Sequence, residues 1–162
     1  MMKIFLGADH AGFELKEKIK VFLRELGHEV ADQGAFKLDP NDDYPDFIEI
    51  VAKMVASDPE GCGIIFGGSG QGEAACANRF KHVRATVFYG LPRGESRGGF
   101  DIIKLSREHN NANILSIGAR FVDEMEAKTA IKLWLETAFS GEDRHIRRIA
   151  KLDYNLRGDF EF

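Results

Sequence analysis

The chain alternates two kinds of hydrophobic pattern. Short apolar runs, KIFLGA at Lys3 to Ala8, HEVAD at His28 to Asp32, GIIF at Gly63 to Phe66, RATVF at Arg84 to Phe88 and NILSI at Asn113 to Ile117, read as five strands. Between them lie longer segments with helical spacing. Leu15, Ile19, Leu23 and Leu26 share one face of a helix predicted over Gly12 to Leu26, with Gly27 placed to end it. Tyr44 to Ala56 reads as a second helix, with Asp43 as its cap and Pro45 in its first turn. A Gly-rich turn then leads into a helix through Phe80. A Gly- and Arg-rich loop to Gly99 precedes a helix to about Glu108, and two terminal helices cover roughly Asp123 to Phe139 and 142–156. GIIF is apolar throughout, as expected when both faces of a parallel sheet are covered. The pattern predicts an α/β fold: a parallel sheet with helices on both faces.

In such folds ligands bind beyond the carboxyl ends of the strands. The turns after Leu6, Phe66, Phe88 and Ile117 are therefore the places to search, and unusual residues follow: Asp9-His10-Ala11-Gly12, then Gly67-Gly68-Ser69-Gly70-Gln71-Gly72-Glu73, Arg107-Glu108-His109-Asn110-Asn111, and Gly118-Ala119-Arg120. Glycines at this density let the backbone approach a ligand, and free N–H groups at a helix start attract negative charge. GGSGQG matches neither the P-loop pattern nor a G-x-G-x-x-G turn after the first strand, so a developing oxyanion is a better fit than a nucleotide phosphate. A plain tight turn is the competing reading. Glu73 reads either as an acid in a first helical turn or as a base; the helix dipole would lower its pKa and burial would raise it. His10 and His109 are both read as lying in ligand-facing turns. Arg144 and Arg148 stand four apart in the last helix, side by side for a phosphate dianion or on a solvated basic face. His28, His82 and His145 read as structural or surface residues.

The length of 162 residues suits one domain over 1–162, with a core that needs no staples. A net charge of −4 argues against a broad nucleic-acid-binding surface. No apolar run is long enough to span a bilayer, and the N-terminus turns polar too soon for a signal peptide. Neither a membrane nor a nucleic acid is expected as a partner. Cys62 and Cys76 lack metal-ligand spacing and read as reduced thiols of a cytoplasmic protein.

GADHAGFELKEKIKVFLRELGHEVADQG, the DYPD segment, GGSGQGEAACANRF, SREHNNANILSIGAR and the terminal DRHIRR resemble ribose-5-phosphate isomerase B and its relatives in the RpiB/LacAB sugar-phosphate isomerase family, from about Met2 to about Leu152. The resemblance implies a Rossmann-like α/β/α sandwich with a five-stranded parallel sheet, a homodimer or homotetramer with active sites between subunits, and aldose–ketose isomerisation of a small phosphorylated sugar through an enediolate, with no metal or organic cofactor. One branch of that family uses a cysteine just after the third strand as base; here that position is Gly67. The other uses a glutamate closing the Gly-rich loop, which corresponds to Glu73. By the same resemblance His109 assists ring opening with Asp9 alongside. Ser69 and the backbone of Gly70, Gln71 and Gly72 form an anion hole. His10, Arg120, Arg144 and Arg148 hold the phosphate, Asn110 contacts the anion or a hydroxyl, and Tyr44 walls the pocket. The stretch GLPRGESRGGFD after the fourth strand is longer than the family pattern. The resemblance implies ribose 5-phosphate as substrate, with allose 6-phosphate, galactose 6-phosphate and tetrulose phosphates as the family's alternatives. A non-catalytic sugar-phosphate or nucleotide module, or one subunit of a hetero-oligomeric isomerase, are the competing functions.

Overall fold

A computed structural model of the chain describes residues 1–90 and 100–155. Five strands, β1 (Lys3–Ala8), β2 (Glu29–Asp32), β3 (Cys62–Gly67), β4 (Ala85–Phe88) and β5 (Ile114–Gly118), form one parallel sheet in the order β2-β1-β3-β5-β4. Among the described residues six helices connect and follow them: α1 (Phe13–Glu25), α2 (Pro45–Ser57), α3 (Gln71–Ala77), α4 (Asp101–Asn110), α5 (Glu124–Glu136) and α6 (Asp143–Asn155). The three-layer α/β/α arrangement is the one the alternating pattern predicts.

The period of two along each strand sorts side chains between two cores. Ile4, Leu6, Ile64, Phe66, Leu115 and Ile117 face the core closed by Ile19 and Leu23 of α1, Ile103 of α4, and Ile131 and Trp134 of α5. Phe5, Ile65 and Ile114 face the other, closed by Ile48, Val51 and Val55 of α2 and Ala77 of α3. Both faces are covered along the central strands β1, β3 and β5, so these read as nearly continuous apolar runs. Beside the first core, Lys16 is wholly buried and gives its ammonium to both carboxylate oxygens of Asp32 at 2.8 Å; Lys20 adds a 2.7 Å contact to Asp32.

Several boundaries differ from the sequence expectation. Asp43 does not cap α2: Tyr44 occupies that position without a side-chain bond, and Asp43 lends only its carbonyl to the N–H of Asp46. α3 stops at Ala77 rather than Phe80, because the Asn78 side chain turns away to pair both backbone groups of Ala85 at the start of β4. α5 ends at Glu136, short of Phe139. Asp123 is its cap, accepting the N–H of Glu126 at 2.8 Å, rather than its first residue. Most of GLPRGESRGGFD, and the last residue of the expected 142–156 helix, lie outside the described residues.

The strand order sets where a ligand can enter. From β1 the chain steps outward to β2, and from β3 toward the opposite edge, so the loops after β1 and β3 diverge and leave a crevice between them at their carboxyl ends. These two loops pack tightly at its floor. A Cβ on Gly12 would sit 2.5 Å from Phe66, so only glycine allows this approach.

Candidate active site

The crevice gathers most of the expected residues. Asp9, 7% exposed, is fixed by the N–H groups of Ala11 at 3.0 Å and Gly12 at 3.2 Å. His10 follows it at the rim. Opposite, the chain leaves β3 through Gly67 and Gly68 and turns at Gly70, whose φ of 76° favours glycine, into α3. Ser116, buried in β5, donates its hydroxyl to the Gly70 carbonyl at 2.7 Å and pins that turn. Ser69 Oγ accepts the N–H of Gln71 at 3.3 Å, while the N–H groups of Gly70 and Gly72 meet no protein acceptor among the described residues. Tyr44 walls the loop, its ring 3.0 Å from where a Cβ on Gly72 would stand. The Arg120 guanidinium lies over Gly68, 3.0 Å from its would-be Cβ.

Glu73 is 4% exposed in the first turn of α3. Burial pushes its carboxyl above the usual carboxylate range, and neighbouring Asp9 adds to this; its own N–H and Arg120 oppose. Burial therefore outweighs the N–H group and the Arg120 charge that favour the ionised form. The carboxylate reaches back over the end of β3: a Cβ on Gly67 would fall 1.8 Å from Glu73 Oε1 and 2.0 Å from Cδ. Glu73 thus occupies the space a side chain at position 67 would need. The thiols are elsewhere. Burial pushes Cys62 up to about 12, and Cys76 packs with the α2-facing core with its pKa also raised by burial.

A second cluster lies apart. His109 was expected in a ligand-facing turn of the same sheet end; it is instead in the last turn of α4. That helix starts beyond the carboxyl end of β4 and runs back over roughly 15 Å to the amino end of β5. His109, Asn110 and Arg148 line one cavity with Thr86 and His145. Arg144, one turn before Arg148 on α6, is exposed and paired with Glu142 at 2.8 Å. His145 is 1% exposed, packs on His109 with ring centroids 4.3 Å apart and planes tilted by 40°, and meets Ser140 Oγ through Nδ1 at 2.9 Å. Burial first, then the neighbouring His109 and Arg144, hold its imidazole below the usual range. One protomer therefore does not bring Glu73 and His109 together.

The chain matches the Ribose/Galactose Isomerase family over residues 4–152. It belongs to that family. Among its relatives, ribose-5-phosphate isomerase B of Mycolicibacterium paratuberculosis is 39% identical over 148 residues, covering 91% of this chain and 87% of the relative. The Escherichia coli enzyme of the same name is 37% identical, covering 92% and 93%. The crystal structure of ribose-5-phosphate isomerase B from Mycoplasma genitalium with bound ribulose-5-phosphate superposes with a TM-score of 0.87 at 34% identity, covering 97% of each chain. That from Thermotoga maritima gives 0.84 at 37%, covering 94% and 98%.

Two residues of the crevice were not anticipated. Ser116 carried no signal, because an isolated serine in an apolar run looks like any tolerated small residue. Asp42, in an acidic stretch that reads as a solvated loop, bonds His10. Asp9, His10 and Asp42 also bring one potential ligand atom each within 4.8 Å of one another, the one such trio among the described residues, where the sequence suggested no metal cluster. Its geometry is that of a shared proton: His10 Nδ1 and Asp42 Oδ1 are 2.7 Å apart, and Asp9 is engaged by backbone N–H groups. No helix among the described residues is long and apolar enough to cross a membrane.

Proposed function

We propose that the protein interconverts an aldose phosphate and a ketose phosphate, most directly ribose 5-phosphate and ribulose 5-phosphate, with Glu73 as the base. The single observation that carries this reading is the Glu73 carboxylate: buried, raised in pKa, and folded into the space over Gly67 beside an unfilled set of loop N–H groups. A carboxylate with little water around it is a competent base at carbon. Glu73 takes the proton from C2 of the open-chain aldose. The developing oxyanion is met by the N–H groups of Gly70 and Gly72, with Ser69 beside them. The hydroxyl proton passes from O2 to O1, the C2 carbonyl forms, and Glu73 returns its proton to C1, so base and acid at carbon are one group. No step calls on a metal or an organic cofactor. Asp9, fixed in place by two N–H donors, orients the hydroxyl at the reacting end. The phosphate end is held remotely by His10 and Arg120, which lets binding energy position the carbons.

The separation of the two clusters supports a site shared between subunits of a homodimer, or of a homotetramer built from it. In a two-fold dimer the carboxyl-end crevice of one protomer meets the α4–α6 cavity of the other, and the same contact occurs twice. His109 would then open the sugar ring, with Asn110 on a hydroxyl and Arg144 and Arg148 on the phosphate. We assign the protein to the cytoplasm, in keeping with its two free thiols.

Co-expression of two inactive chains tests the shared site. Glu73→Gln damages one half of it and the Arg144→Ala/Arg148→Ala pair the other. Each homo-oligomer should be nearly inactive, while random dimers of the two should recover about a quarter of wild-type activity, because half are mixed and each mixed dimer carries one intact site. No recovery, or full activity from a monomer by light scattering, would contradict the arrangement.

A further inference from the structure

Asp42 sits in the loop between β2 and α2, where Asn41 and Asp43 on either side are exposed; its own side chain is only 9% exposed. Its Oδ1 makes two contacts with one residue. It accepts the backbone N–H of His10 at 3.0 Å and lies 2.7 Å from ring Nδ1. Its Oδ2 is buried and has no hydrogen-bond partner among the described residues. Leaving a carboxylate oxygen dry and unpaired is unfavourable, so the loop holds this carboxylate against His10 rather than releasing it to water. A second consequence follows for the ring. A 2.7 Å contact to a carboxylate places a proton on Nδ1, and Nε2 is left as the ring atom available to a ligand.

We propose that Asp42 is a positioning residue for phosphate binding: its carboxylate clamps the His10 ring at Nδ1 and favours the ring's cationic form, in which Nε2–H is presented to the substrate's phosphate dianion. The ligand's identity rests on the isomerase reading; the clamp itself does not. The groups that face His10 are Asp42 from the β2–α2 loop, Asp9 from its own turn and Arg120 from the turn after β5. The Asp42 hydrogen bond acts most strongly and raises the imidazole above 6.5; the charges of Asp9 and Asp42 add to it, while partial burial and Arg120 oppose. A phosphate monoester loses its second proton near pH 6. A raised His10 pKa therefore widens the pH range over which dianion and imidazolium coexist, and affinity falls as pH rises through the His10 pKa.

The test combines histidine NMR with kinetics. In the unaltered protein the His10 ring should titrate above 6.5, and inorganic phosphate should shift its signals. Asp42→Asn should lower that midpoint and raise KM for ribose 5-phosphate about tenfold near pH 7.5, the loss expected for one charge-assisted contact, with kcat little changed. In a His10→Gln background Asp42→Asn should add nothing further. The proposal is overturned if His10 titrates at or below 6.5 in the unaltered protein, which needs no variant to fold. It is equally overturned if Asp42→Asn leaves midpoint and KM unchanged, or if it acts as strongly without His10. The NMR readings need no turnover, so a failed isomerase assay and a failed clamp are told apart.

Discussion

Gly67→Ala asks whether the position of the Glu73 carboxylate matters to the chemistry. Gly67 closes β3 and does not have the left-handed φ that would exclude alanine, so the backbone accepts the change. The added methyl group does not fit. It would stand 1.8 Å from Glu73 Oε1, and ordinary contact begins at 3.4 Å, so the carboxylate must retreat by about 1.6 Å. A misplacement of about 1 Å at a reacting group costs on the order of 10²-fold in rate. Gly67→Ala should therefore lower kcat by at least about 10²-fold with KM little altered, measured by coupled spectrophotometry on protein shown to be folded by circular dichroism. Gly67→Cys/Glu73→Ala supplies a thiol in the vacated space and should exceed Glu73→Ala alone by roughly tenfold, since a thiolate can replace a carboxylate as base. A Gly67→Ala enzyme with near wild-type kcat would show that the carboxylate seen over Gly67 is not the reacting group.

Two further predictions concern titration. Glu73 must be ionised to accept a proton, and its folded pKa is raised, so the acid limb of kcat/KM against pH, which reports the free enzyme, should have its midpoint above 4.5; a midpoint at or below 4.5 would deny Glu73 the role. For Asp32, burial alone would raise the pKa, but Lys16, Lys20 and the Gly34 N–H outweigh it and hold the carboxyl below 3.8. Its contribution to stability is then fully present above the unfolded value and is lost as pH falls through the folded one. Asp32→Asn strips the main partner from wholly buried Lys16 and should cost about 3–5 kcal/mol in urea unfolding at pH 7, a gap that narrows well below pH 4; a cost under about 1 kcal/mol would mean the pair is not buried in solution.

The fold was legible because both faces of the sheet are covered. Runs such as GIIF admit few alternatives to a buried parallel strand, and the α1 stripe of Ile19 and Leu23 points to its core directly. Boundaries were less legible where a side chain overrides the pattern, as when Asn78 captures Ala85 and ends α3 early. The crevice residues were found because the turn after a parallel strand is a place sequence can name. His109 was misplaced for a topological reason: the residues REHNN precede β5, so they belong to its amino end, and a motif alone does not say which end of a strand it adjoins. Asp42 and Ser116 each act on one partner, 32 and 46 residues away in the chain, respectively, and no local pattern announces such a bond.

The central claim is that Glu73 moves the proton between C1 and C2. Isomerisation of ribose 5-phosphate in deuterium oxide, followed by NMR, measures that transfer directly. The unaltered protein should place solvent deuterium on the exchanging carbon. Glu73→Gln, which keeps the shape of the side chain and removes its basicity, should incorporate almost none and lose about 10²–10⁴-fold in kcat. Deuterium incorporation and turnover in Glu73→Gln at near wild-type rates would contradict the account and require another base.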